Sequence, residues 1–120
     1  MVNNYIAESC SKAAQFSGIK RVGVFGSHAR GEQSSDSDID ILYDYHYVDN
    51  TDNGLDDAYE FLDILENDLK KHLGVVKVDF ISYSQITDIH EPDAYDIAFR
   101  DSILRDVIWL YEQSPATYVI

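Results

Sequence analysis

Gly26-Ser27-His28-Ala29-Arg30-Gly31-Glu32 and, four residues further on, Ser37-Asp38-Ile39-Asp40-Ile41 are the stretch that decides the fold of this chain. Gly26 closes an alternating run from Ile19 to Phe25, in which Val22 and Val24 share one face of an expected strand. A glycine at that point lets backbone approach a ligand closely. Ser27 can cap a short helix through about Arg30. The start of such a helix offers unbonded amides, a hydroxyl and a favourable dipole, a set that suits a phosphate. Arg30, one turn on, can add a charge-assisted contact, or it can simply pair with Glu32 or Asp36. Neither the Gly-x4-Gly-Lys loop nor the Gly-x-Gly-x-x-Gly fingerprint is present.

Asp38 and Asp40 are two residues apart, so on a strand both carboxylates point to one face while Ile39 and Ile41 point into the core. Two co-facial carboxylates repel unless a cation lies between them, and oxygen ligands beside a phosphate site suit Mg²⁺. Asp79, between Val78 and Phe80 in a later apolar run, faces away from those two and can lie beside the Asp38–Asp40 strand. Three Asp on neighbouring strands could hold two metals ~4 Å apart, the clamp used for in-line phosphoryl displacement. Asp79 would then be both ligand and candidate base.

Outward from this stretch, Asn3 or Asn4 can cap a first helix with an apolar face of Ile6, Cys10, Ala13 and Ala14, Phe16 near its end and Gly18 to stop it. A second strand is expected from Asp38 to about Tyr45, then a loop over 46–54. Leu55, Ala58, Leu62, Leu65, Leu69 and Leu73 recur at helical spacing, with Lys70, Lys71 and His72 at the end that suits the macrodipole and Gly74 after it. A third strand is expected over Val75 to Ile81. Pro92 suits the first turn of a last helix with a stripe of Leu104, Val107, Ile108 and Tyr111 after a break near Arg100. The order α-β-α-β-α-β-α predicts an α/β (α+β) domain, a small mixed sheet flanked by helices, spanning residues 1–120 as one unit.

The chain carries 22 acids against 9 Lys and Arg, for a net charge of −13. Residues 31–69 contain thirteen acids and no Lys or Arg, and elsewhere nine acids meet nine bases. Nucleic acid is therefore not an expected partner, since phosphates need a basic footprint. One Cys excludes an internal disulfide and a Cys-based zinc site. No apolar run approaches the ~20 residues of a membrane span, and no leader is evident, so a cytoplasmic protein is expected. Cys10 and the Leu stripe read as core, Glu32 as structural, His28 and Lys77 as surface residues within reach of a ligand, and Tyr43, Tyr45 and Tyr47 as the cover of an edge strand.

Gly26-Ser27, ten residues, then Asp38-x-Asp40 resembles the signature of the DNA polymerase β-like nucleotidyltransferase superfamily. The fuller form, with Ala29-Arg30-Gly31-Glu32 and Ser37-Asp38-Ile39-Asp40-Ile41, is similar to its minimal nucleotidyltransferase (MNT) branch over about residues 3–113. The resemblance implies a polymerase β palm-like fold and a closing helix through Trp109-Leu110-Tyr111-Glu112. It also implies nucleotide binding by Gly26 and Ser27 and metal binding by Asp38, Asp40 and Asp79. It further implies ATP or another NTP as substrate, Mg²⁺ as cofactor, and transfer of a nucleotide monophosphate to a hydroxyl. At 120 residues the chain is expected to have no room for the second domain with which larger relatives bind their acceptors, so the site is expected to be open and completed by something else. MNT antitoxins, which modify a HEPN-type RNase toxin, are the nearest functional likeness. The alternatives are an acidic module that neutralises a basic partner by occlusion, and a small-molecule (antibiotic) nucleotidyltransferase acting as a homodimer.

Overall fold

The computed structural model describes residues 3–34, 37–45, 53–74 and 77–113. Helix α1 (Asn4–Ser17) starts where the Asn3 side chain accepts from the Tyr5 and Ile6 amides, and it stops at Gly18 in the left-handed conformation. Strand β1 (Arg21–Phe25), the single turn α2 (Ser27–Arg30) and strand β2 (Ile39–Asp44) follow. Helix α3 spans Asn53–Leu73, with basic residues in its last turn. Strand β3 (Val78–Ser82) leads into α4 (Tyr83–Thr87), then α5 (Ala94–Asp106) and β4 (Ile108–Glu112).

The four strands form one mixed sheet in the order β3-β2-β1-β4. β1 lies antiparallel to β2 and to β4, whereas β2 and β3 are parallel. Alternation sends Ile39 and Ile41 to the face covered by α1 and α3, where they pack with Ile6, Cys10, Ala13, Phe61, Leu65 and Leu69. Leu42 points the other way, into a smaller cluster with Phe25, Ile86 of α4 and Ile103 of α5. Cys10 is core filler, and burial pushes its thiol up to about 12.

Two mixed layers around a sheet are what the sequence predicts, but its C-terminal part is built differently. The expected helical stripe through Leu104, Val107, Ile108 and Tyr111 is interrupted, because α5 ends at Asp106 and residues 108–112 form a fourth strand. The order therefore gains α4 and β4. The run Val107-Ile108-Trp109-Leu110-Tyr111 is β-branched and aromatic, and in so short a run periodicity cannot separate strand from helix. Gly23 completes the explanation. A Cβ there would lie 2.7 Å from Val107 Cγ2 and 2.9 Å from the Ile108 carbonyl oxygen, so only glycine admits β4 at this edge of β1.

α5 runs without a break at Arg100, and Asp93 caps it through a reciprocal pair with Asp96. Pro92 thus precedes the cap instead of opening the helix. Tyr43 is on an interior strand and packs against Phe61 and Phe80, so it does not cover an edge. Phe16 is exposed and takes no part in the core. The expected loop lies outside the described residues up to 52, as do Asp36, Tyr47, Val75, Val76 and the side chain of Leu55.

Candidate active site

The registers set the candidate residues in a row. Phe25, next to Gly26, pairs with Asp40 across β1 and β2. Asp40 pairs in turn with Asp79 across β2 and β3. Asp38 stands just ahead of β2, two residues from Asp40. Glycine, loop-side Asp, strand Asp and neighbouring Asp thus come together at one end of the sheet, on the face of Leu42.

Gly26 is required there twice over. Its φ of 72° and ψ of −149° lie where essentially only glycine is at ease. A Cβ would also sit 2.2 Å from Asp40 Oδ2, inside any real contact. The backbone therefore lies directly against the carboxylate. Its carbonyl accepts from the Ala29 and Arg30 amides at 3.1 Å each, which winds α2 into one turn. The first amides of that turn have no acceptor within the helix, and they are available to an anion.

Burial is the largest influence on Asp40, followed by the negative charges of Asp79 and Asp38 and a hydrogen bond shared with Asp79. Together they push the Asp40 carboxyl up to about 6, against the pull of Arg30. Acidic side chains crowded in this way repel one another, and a cation between them would relieve the repulsion. Crowded hard oxygens, with a glycine that removes the one side chain in their way, fit a divalent metal such as Mg²⁺. Among the described residues no three acidic, His or Cys side chains are already closed into a ligating group. Asp38, Asp40 and Asp79 would have to draw closer for all three to share a cation.

Arg30 is within electrostatic reach of Asp40, but its side chain is engaged by acids. Nε donates to Glu32 Oε1 at 2.6 Å and an amino nitrogen donates to Asp106 Oδ2 at 2.7 Å. These bonds hold its guanidinium even more firmly charged than usual. Both pairs are partly exposed, so a phosphate can compete for the guanidinium. Asp106, at the end of α5, is the participant that sequence reading missed, because no spacing rule links it to a turn 76 residues away. Lys77 is an exposed surface residue, as expected, and its Nζ lies 3.6 Å from Asp79. The His28 Nε2 is buried with no hydrogen-bond partner among the described residues, so this ring is not the exposed side chain that the sequence suggested.

Comparisons with known proteins agree with the geometry. The family model described as a nucleotidyltransferase domain matches residues 4–105. A candidate protein adenylyltransferase of Methanocaldococcus jannaschii is 36% identical over 92 residues, which cover 77% of each chain. The protein adenylyltransferase MntA of Thermococcus cleftensis is 30% identical over 93 residues, covering 78% of this chain and 76% of its own. A solved structure described as a candidate minimal nucleotidyltransferase superimposes with a TM-score of 0.54 at 30% identity, over 85% of this chain and 86% of that one. Its fold and this motif make the chain a nucleotidyltransferase, and it belongs to the nucleotidyltransferase domain family as one of its minimal members.

Proposed function

We propose that this protein transfers AMP from ATP, with Mg²⁺, to a hydroxyl on a partner protein, and that the partner is a HEPN-type RNase toxin which the transfer silences. The observation that carries this reading is Asp40, packed directly against Gly26 and paired with Asp79 on the neighbouring strand. Asp38, Asp40 and Asp79 would hold the metal, which when bound offsets the charge of the triphosphate and makes the attacking hydroxyl more acidic. The amides after Gly26, the Ser27 hydroxyl and Arg30 hold the phosphates and orient them. The acceptor oxygen bonds to the α-phosphorus, the bond from that phosphorus to the bridging oxygen breaks, and pyrophosphate leaves. Asp79 takes the hydroxyl proton.

AMP and a protein acceptor are supported by the names of the relatives, which are protein adenylyltransferases. The acidic surface supplies the motive for an RNase partner, because a surface that grips RNA is basic. The test mixes the purified protein with the product of the adjacent gene, ATP and Mg²⁺, and reads the partner's mass. AMP-sized steps are expected with the wild type and none with Asp38→Asn/Asp40→Asn. Equal outcomes for the two proteins would exclude catalysis by these carboxylates. Protection of cells by the double variant would instead favour occlusion of the toxin.

A further inference from the structure

The apolar side chains of helix α5 grow more exposed toward its N-terminus. Stepping by four residues from Ile103 to Phe99 to Tyr95, exposure climbs from 3% to 52% to 87%. Residues four apart share a helix face, so this is one apolar ridge, seated at one end and bare at the other. Ile97, Leu104 and Ile108 are also exposed nearby, and β4, which follows the helix, is an edge of the sheet. Single exposed apolar residues need no explanation, but a continuous ridge with two aromatic rings does.

The ridge has a charged rim. Residues 88–101 carry the acids Asp88, Glu91, Asp93, Asp96 and Asp101 against one base, Arg100, which Asp101 already engages at 3.2 Å. The seated end reaches the active site. Asp106 holds Arg30, and Ile103 packs with Phe25 and Leu42, neighbours of Gly26 and Asp40. From Tyr95 to Asp106 the helix rises roughly 16 Å.

We propose that the Tyr95–Phe99 ridge is the docking surface for the acceptor protein, and that the acceptor meets it with an apolar patch ringed by Lys and Arg. This rests on the protein-acceptor reading above and adds where the acceptor sits. Charge selects the occupant. A second copy of this chain would set the same acidic rim against itself across a two-fold axis, and nucleic acid is repelled by it. A basic rim is attracted, and the two rings are the kind of anchor that fills a partner's pocket. An acceptor seated there has its hydroxyl-bearing segment held over the carboxylates, so that transfer becomes effectively intramolecular.

The test uses the full chain, with the purified product of the adjacent gene as probe. Tyr95→Ser/Phe99→Ser and Glu91→Lys/Asp101→Lys are compared with wild type for affinity toward the probe, sedimentation of the chain alone and binding of Mg²⁺–ATP. Both double variants should bind the probe at least tenfold more weakly, while Mg²⁺–ATP binding stays unchanged because these residues do not touch the site. Added salt should weaken the wild type more than the charge-reversed variant. Undiminished affinity in the double variants overturns the proposal. So does a wild-type dimer that Tyr95→Ser/Phe99→Ser separates, since the occupant would then be a second copy. A wild type that neither binds nor modifies the probe fails at the level of the proposed function, before any variant is compared, and the docking surface falls with it.

Discussion

The two faces of the sheet differ in how completely they are covered. Behind it, α1 and α3 close over Ile39, Ile41 and Val78 with a continuous apolar cluster in which Phe61, Leu65 and Leu69 are fully buried. In front, α4 and α5 bury Ile86 and Ile103 in a smaller cluster with Tyr83 of α4 packed against it, and the same strands carry Asp40 and Asp79 beside it. The rear face stabilises the fold, and the front face spends part of that stability on carboxylates held together against their charge. A domain this small has one large core available, and concentrating it behind the sheet leaves the front free for ligand and acceptor.

The largest effect expected from this asymmetry is on the rear face. Phe61→Ala should lower stability by about 3–5 kcal/mol, whereas Tyr95→Ser on the front should change it by less than about 0.5 kcal/mol. Urea unfolding of the two variants checks the pair, and comparable losses would break the distinction. Next comes Gly26→Ala. Strain at this backbone conformation is about 1–3 kcal/mol, and the new Cβ would collide with Asp40 as well. Loss of Mg²⁺–ATP binding together with a lower Tm is expected, and normal binding would mean that Gly26 does not pack against Asp40 as described.

Asp40→Asn should separate function from stability. In the cation-free protein the folded carboxyl sits at about 6, above its unfolded value near ~3.9. A group raised on folding favours the fold fully below the unfolded value and loses that contribution as pH rises through the folded one. Without metal, the variant should therefore melt above the wild type at pH 7.5, and the gap should close toward pH 4. Thermal melts across that range, with chelator present, read the sign directly.

How much of this was legible in the sequence follows the same division. α1 and α3 are periodic helices over an apolar stripe, α1 is capped at both ends, and Asn3, Gly18 and the Leu positions mark them. Gly26-Ser27 and Asp38-x-Asp40 were legible because the spacing fixes a strand end, a turn and a strand face. Asp79 could be placed by alternation alone. β4 could not, since its helix-or-strand choice depends on the space left by Gly23, a tertiary fact. Phe61 fell outside the Leu stripe that sequence reading followed, although it belongs to the same face. Asp106 and the buried nitrogen of His28 are visible only once α5 and α2 are in place.

The smallest effect concerns the seam of the rear layer. The buried Ser9 hydroxyl donates to Asp68 across α1 and α3, and this bond is the main reason that the Asp68 carboxyl is lowered. A group lowered on folding adds stability above its unfolded value and loses it as pH falls through the folded value. Ser9→Ala should cost about 0.5–1 kcal/mol near neutrality, modest because Asp68 is partly exposed to solvent, and almost nothing below the carboxylate range. A cost independent of pH would assign the loss to packing instead.

The central claim is that the carboxylates beside Gly26 form a metal-dependent nucleotide site. Titration calorimetry of ATP into the protein, with and without Mg²⁺, tests it most directly. Wild type should give binding heat only when Mg²⁺ is present, and Asp38→Asn/Asp40→Asn should give none under either condition. Equal heats from the two proteins, or heat that ignores the metal, would contradict the account.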